Sequence, residues 1–336
     1  MSIVPKAETL SVSSAELEEA ADDGRGRHAK SPSEIPVRGL RDVLWRVYTE
    51  VLADRVTLIA AGATYYIVLA IFPGMGVLVS IYGLLTDPTD LAKQMIFIGD
   101  VLPPGAYDLL IPQLEALAHK GRSELSLAFL ASLMIALWSA TSGIKALFDA
   151  MNVAYGEIEK RSFVHLSLLA FSFTLAAIVT LVVLVTLVGV VPEILKALYL
   201  DDWAETLARV ARWPVILMIT GTATIIIYRY GPSREKAKLR WLTWGAAFST
   251  VAWAMTTTVF SVYLLNFANY NATYGTLGAL VAFMIWIWLS IVILIVGAEL
   301  NAELEHQTKC DSTTGPPLPM GERGAEMADT LGAAAD

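Results

Sequence analysis

The chain has 336 residues, of which 55% are hydrophobic and 17% charged, with a mean hydropathy of +0.57. A soluble domain carries about 25% charged residues; here the apolar residues come in long runs, which excludes a single water-soluble core and points to membrane spans. The formal net charge of −8 says little about partners, because acidic residues crowd the N-terminal stretch, and the single Cys310 excludes an intrachain disulfide.

Residues 1–37 are rich in Ala, Ser, Glu, Asp and Arg and are predicted to be a disordered tail. They lack an apolar h-region, so no cleavable signal peptide is expected and the first span serves as its own insertion signal. From Leu40 the pattern changes. Leu40, Val43, Leu44, Val47, Tyr48, Val51 and Leu52 share one helical face, with Arg41, Asp42, Arg46 and Glu50 off it and Trp45 as an interfacial anchor. This predicts an amphipathic helix on the membrane surface.

The first span is predicted over residues 56–85, with Gly62, Tyr65 and Tyr66, and a Phe72-Pro73-Gly74 centre. Pro73 removes a backbone donor, so a kink is expected near Leu69. Residues 86–124 read as a polar connection with a short helix around Leu110, Leu114 and Leu117. The second span, 126–148, carries small residues at Ser132, Ala136, Ala140, Ser139 and Gly143, a spacing that lets helices approach closely. The third span covers 163–191 and stops at Pro192. Residues 193–212 form a second polar connection before a fourth span over 214–228. Arg229, Arg234, Lys236, Lys238 and Arg240 follow in a basic loop. Spans five and six, 241–265 and 275–300, lie in a stretch with no Asp, Glu, Lys, Arg or His from Trp241 to Ala298. Residues 266–275 between them have a turn composition. The Pro- and Gly-rich residues 307–336 are predicted to be a second disordered tail.

The expected fold class is thus all-α: a polytopic membrane protein whose six-helix transmembrane domain covers residues 38–306, with a kinked first span and short amphipathic surface helices. Basic residues set its orientation. Eight Lys and Arg precede the first span, three surround the end of the second, five follow the fourth and two lie in the C-terminal tail. Only Lys93, Lys120, Arg122, Lys196, Arg209 and Arg212 fall on the opposite side. Both termini are therefore expected in the cytoplasm.

Several chemistries are missing. There is no G-x-x-x-x-G-K-[ST] loop for a nucleotide phosphate, no G-x-S-x-G elbow and no H-E-x-x-H pair. His28, His119, His165 and His306 are scattered. No catalytic set, metal site or cofactor is expected, and the basic residues do not interleave with aromatics as a nucleic-acid surface would. The span interiors carry no charge, which disfavours ion-coupled transport.

Two polar groupings are left. Lys145, Asn152, Arg161, Arg229, Glu299 and Asn301 gather at the cytoplasmic border, where Glu299 is expected to pair with Lys145 or Arg229. Such a pair either locks helix ends together or gates a path. Ser249, Thr250, Trp253, Thr256, Thr257 and Ser261 form a hydroxyl stripe on the fifth span, close to Tyr263. It either bonds its own helix and neighbours or, with Tyr65, Tyr66 and Pro73, lines a weakly polar groove open to lipid.

These residues also carry a resemblance. Ala61-Gly62-Ala63-Thr64-Tyr65-Tyr66 with Phe72-Pro73, Trp138-Ser139 through Gly143-Ile144, and Asn152-x-Ala154-Tyr155-Gly156 with Arg161-Ser162-Phe163 occur in order. Tyr228-Arg229-Tyr230-Gly231-Pro232, Gly245-Ala246, Tyr274-Gly275-Thr276-Leu277-Gly278 and Gly297-Ala298-Glu299-Leu300-Asn301-Ala302 follow. Over roughly residues 38–306 the chain resembles the YihY/BrkB family of bacterial inner-membrane proteins, formerly labelled ribonuclease BN. The resemblance implies six membrane helices with both termini cytoplasmic. No residue supports ribonuclease activity. The expected function is transport or handling of an amphiphilic envelope component such as a lipid, with membrane lipids as partners and no nucleic acid. The alternative is a non-transporting scaffold that docks envelope proteins.

Overall fold

The computed structural model describes residues 24–85, 125–186, 202–266 and 278–335. Among these residues the fold is all helical. After a 3-10 turn at Pro32–Glu34 come α1 (Val37–Ala53), α2 (Val56–Leu85), α3 (Leu125–Ala154), α4 (Phe163–Val185), α5 (Asp202–Tyr230), α6 (Leu239–Asn266), α7 (Gly278–Glu305) and the one-turn α8 (Glu326–Asp329). An isolated antiparallel bridge joins Ala237 to Thr313. The predicted connection at 86–124 lies outside the described residues, as do the part of 193–212 before Asp202 and all of 266–275 after Asn266.

Four helices are long and apolar enough to cross a bilayer, over Phe163–Leu184, Trp213–Tyr230, Leu239–Leu264 and Leu280–Glu305. The count is five if the bent pair α1–α2 is one span. By this measure the expected six are not reached, although α2 and α3, at 30 residues each, complete a set of six long helices. Each would be about 45 Å long, more than a bilayer core requires. The chain is a multi-pass all-α membrane protein.

Some elements differ from expectation. α5 does not start at Pro214 but at Asp202, and Pro214 sits inside it. A proline inside a membrane helix is tolerated when neighbours satisfy the carbonyl it leaves free. Likewise α2 continues as one element through Pro73. The sharp change of direction comes earlier: α1 and α2 meet at 59°, and Arg55 between them takes a left-handed φ of 51°.

α7 is the hub. It packs against α1, α2, α3 and α6, while α4 extends the bundle beyond α3 and α5 extends it beyond α6. Its apolar residues Phe283, Ile287, Ile291 and Ile295 recur every fourth position and lie in the main core with Ala298 and Ala302. Val56, Ala60 and Ala63 of α2, Ala150, Met151 and Ala154 of α3, and Leu242 and Ala246 of α6 fill the same core. Within lipid, apolar contact alone does not favour helix pairing, so close backbone approach through small residues must supply the packing. At Gly245 a Cβ would overlap the Gly297 carbonyl oxygen and lie 2.6 Å from the Asn301 side chain. The same approach lets Asn301 Oδ1 accept a hydrogen bond from the Gly245 amide at 2.7 Å.

The two stretches expected to be disordered are folded where they are described. Residues 24–36 and 307–335 wrap together over the polar end of the bundle. Gln307 Nε2 donates to Arg25 O at 2.9 Å, Thr308 Oγ1 to Ala29 O at 2.7 Å and Arg27 Nη2 to Gly332 O at 2.8 Å. Their Pro-, Gly- and Ala-rich composition disguised this, because the segments hold together through backbone groups rather than an apolar stripe.

The Gly245–Gly297 contact yields a prediction. Gly245→Ala forces two backbones apart and should cost about 1–3 kcal/mol or more. Gly62→Ala, where a Cβ meets nothing within 4 Å, should be neutral. Thermal unfolding of the purified variants in detergent checks the contrast.

Candidate functional site

The polar end of α7 is built by helical spacing. Glu299, Glu303 and His306 recur at intervals of four and three and share one face, while Asn301 and Glu305 occupy the opposite one. Because α7 is covered on both sides, Glu299, Glu303, Asn301 and Glu305 are buried, and His306 just past its end is half-buried.

On the first face Arg46 of α1 reaches Glu303. Its Nε donates to Glu303 Oε2, Nη2 to Gln307 Oε1 at 2.8 Å, and Nη1 to Ala333 O at 2.7 Å. His306 Nδ1 lies 3.4 Å from the same carboxylate. On the second face Arg234 Nη2 donates to Glu305 Oε2 at 2.6 Å, with side chains only 2% and 0% exposed. Ser312 Oγ donates to that oxygen at 2.7 Å, and the Arg234 guanidinium stacks 4.8 Å over the Tyr155 ring. Charges this deeply buried persist only when paired and hydrogen-bonded.

Glu299 is different. It is 1% exposed and, unlike Glu303 and Glu305, has no arginine against it; its Oε1, like Glu305 Oε1, has no hydrogen-bond partner among the described residues. The group within hydrogen-bond reach is another carboxyl, Asp54 at the α1–α2 corner. The expected partners are engaged elsewhere, which corrects the sequence expectation. Lys145 Nζ donates to Ser167 Oγ at 2.9 Å and sits 4.8 Å from the Phe163 ring, between α3 and α4. Arg229 lies over the Tyr230 ring at 5.9 Å. The face of α7 that carries Glu299 looks towards α1, away from both cations.

The rest of the predicted cluster divides among separate helix joints. Asn152 and Arg161 do meet, through Glu159. Asn152 Nδ2 donates to Glu159 Oε2 at 3.0 Å, and Arg161 forks onto the carboxylate with Nη2 at 2.6 Å and Nε at 2.7 Å. Asn152 Oδ1 accepts from the Ser233 amide at 2.7 Å, and Arg161 Nη2 donates to Gly231 O at 2.7 Å. This clasp ties the end of α3 to the end of α5. Gly156 makes it sterically feasible: at φ 63° it closes α3 with the Gly156 amide on Val153 O and the Glu157 amide on Asn152 O. Asn301 serves another joint, bonding Gly245 and Leu242 of α6.

The groove residues also divide. Tyr65, 59% exposed, and Tyr66 pack edge to face on α2 at 5.5 Å. Pro73 lies in the same helix, where side chains are outside the described set. Thr256, Thr257 and Tyr263 lie on α6, and among the described residues α6 packs on α7 and α5 rather than on α2. Of the hydroxyl stripe, Ser249 bonds Tyr228 Oη at 2.7 Å and Ile293 O at 3.1 Å, and Thr250 bonds Ala246 O of its own helix at 2.7 Å. Further along, Trp253 Nε1 donates to Ser290 Oγ at 3.1 Å and Trp286 Nε1 to Thr257 Oγ1 at 3.2 Å. Thr256 is half-buried, and Tyr263, 44% exposed, stacks on Phe260 at 6.3 Å.

Sequence reasoning missed Glu305, Arg46 and Arg234 as buried charges, and half-buried Asp54 beside Glu299. The spacing of Glu299, Glu303 and His306 was a usable signal. Arg234 and Arg46 had been absorbed into the topology count. α1 also turns out inverted relative to a soluble helix. Asp42, Val43, Arg46 and Val47 are buried, whereas Leu44, Trp45, Tyr48 and Leu52 face outward. Its outward face is that of a helix seated at a membrane interface. No group of three or more His, Cys, Asp and Glu suited to a metal occurs among the described residues.

The Glu159 clasp has a pH signature. Hydrogen bonds from Arg161, against some burial, hold the Glu159 carboxyl down at about 2 from an ordinary 4.5. The stabilisation is therefore complete above the unfolded value and fades as pH falls from about 4.5 towards 2. Glu159→Gln should cost on the order of 1.5–3 kcal/mol at pH 7. The gap from the unmodified protein should close across that acid window, as read by thermal unfolding at a series of pH values.

Comparison with known proteins places these features in a family. A model described as virulence factor BrkB matches residues 47–319. The ribonuclease-like protein YfkH of Bacillus subtilis (strain 168) is 31% identical over 263 residues, covering 74% of this chain and 90% of the relative. A UPF0761 membrane protein of Haemophilus influenzae (strain 86-028NP) is 22% identical over 275 residues, 81% of this chain and 97% of the relative. Another, from Idiomarina loihiensis, is 27% identical over 108 residues, 32% of this chain and 38% of the relative. No solved structure matches. The match spans the whole bundle from α1 to the segment that closes over its polar end, and the chain belongs to the virulence factor BrkB family.

Proposed function

We propose that this protein handles or transports an amphiphilic membrane component, a lipid or lipid-like molecule, along a groove floored by α7 and flanked by α2 and α3 on one side and α6 on the other. The observation that carries the reading is the band of hydrogen-bonding groups at membrane depth on α6 and α7. Trp253–Ser290 and Trp286–Thr257 form its floor, with half-buried Thr256 beside them. Met255 and Val259, 63% and 67% exposed, present apolar surface next to it. An amphiphile fits such a strip: its polar head exchanges bonds with hydroxyls and indoles while its tails stay in lipid. The Tyr65–Tyr66 pair supports the opposite wall. The function is non-enzymatic in this reading. The ribonuclease-like label belongs to the Bacillus relative.

We place the protein in the bacterial inner membrane with both termini cytoplasmic. The excess of Lys and Arg on that side supports this, as does the meeting of Arg25 and the Ala335 amide on Asp42, which puts both ends of the described chain on one side.

Purified protein in liposomes should accelerate movement of a labelled phospholipid between leaflets. Replacing Thr256 and Thr257 with Val should leave the protein folded, at a cost of about 1–2 kcal/mol for the lost Trp286–Thr257 bond, and slow transfer about tenfold, the equivalent of one good hydrogen bond lost from the transfer step. No acceleration by the folded unmodified protein would overturn the reading. For orientation, reporter fusions after residues 155 and 235 should read cytoplasmic, and one after residue 205 should read the opposite side.

A further inference from the structure

We propose that Asp54 and Glu299 together form a binding site for one proton, beneath the corner where α1 turns into α2. Three observations meet there. Glu299 is buried to 1% exposure with one carboxyl oxygen lacking any donor. The group it faces is a second carboxyl within hydrogen-bond reach. Of the nearby cations, Arg55 at the corner is exposed, and those that face the joint are committed. Arg46 of α1 is held by Glu303, Gln307 and the Ala333 carbonyl, and His306 lies against Glu303. On α3, Lys145 turns to Ser167 and Asp149 acts on Glu159. On α6, Arg240 is exposed, and α2 has no charged side chain along its length. The remaining groups that act on Glu299 are Glu50 and Glu303, both acidic.

A fully buried carboxylate and a half-buried one in contact with it resist being ionised together without a cation between them. A single shared proton resolves the conflict: the protonated carboxyl donates to the other. Release of the proton leaves like charges in contact on α7 and on the corner. That corner is where the chain bends by 59° through a left-handed Arg55. Protonation thus sets whether α1 and the start of α2 stay seated on α7. The site is independent of whether the groove carries lipid.

The test is infrared spectroscopy of the full-length protein in lipid nanodiscs at neutral pH, in sodium, potassium and choline buffers. The carbonyl stretch of one protonated carboxylic acid should appear in all three. Glu299→Gln should abolish it, and Asp54→Asn, which keeps a hydrogen-bonding partner, should shift its frequency. If Glu299→Gln does not fold, the band in the unmodified protein and its shift in Asp54→Asn decide the matter. Absence of the band, or a band unchanged in both variants, would overturn the proposal. So would a band seen in choline and erased by sodium or potassium, which would assign the site to a monovalent metal cation instead. Because no lipid transfer is measured, failure here is distinct from failure of the transport reading.

Discussion

Burying carboxylates at the end of a helix that is covered on both sides is the constraint on which the polar end of this structure depends. α7 carries Glu299, Glu303 and Glu305, each at most 2% exposed. An isolated ionised carboxylate in such a place would neutralise itself or disrupt the packing. Two of the three recruit a cation from elsewhere in the chain. Glu303 draws in Arg46 and with it α1, and Glu305 draws in Arg234 and the loop after α5. The C-terminal segment supplies Ser312, Gln307 and the Ala333 carbonyl. The arrangement of surface segments follows from charge compensation more than from apolar contact.

The same principle explains α1. Asp42 and Arg46 point into the protein beside Val43 and Val47, while Leu44, Trp45, Tyr48 and Leu52 point out. In water this orientation would be unfavourable. At the edge of a bilayer the outward face meets acyl chains and headgroups, and the inward face meets the buried ends of other helices. The environment supplied by lipid is what makes the inverted helix the stable one.

Much of the bundle was legible in the sequence. Long apolar runs mark helices regardless of partner, so the predicted starts at residues 56 and 163 coincide with Val56 and Phe163 of α2 and α4. The small residues Gly245 and Gly297 likewise mark a close approach whose partner is near in the fold. The polar contacts were less legible. Arg46 and Glu303 are 257 residues apart, and nothing local to either announces the other. A basic residue at the end of a span serves topology and ion pairing alike, and the sequence does not separate the two uses. Pro214 was read as a boundary because proline cannot donate, yet a membrane helix with neighbours continues through it. The tail after α7 has a loop's composition, and its order comes from scattered polar side chains such as Gln307, Thr308, Asp311, Arg323 and Asp329 bonding backbone groups, a pattern with no periodicity to read.

The clasp of the C-terminal segment on α1 also bears on how the protein is made. Asp42 and Arg46 are made long before Glu303, the Ala333 carbonyl and the Ala335 amide that complete their environment. Until those residues emerge, the inward face of α1 has no finished partner, whatever the state of the helices already inserted. Contacts at such sequence separation form late and make assembly slow. The segment after α7 therefore closes the polar end of the bundle only after the helices it covers have been made.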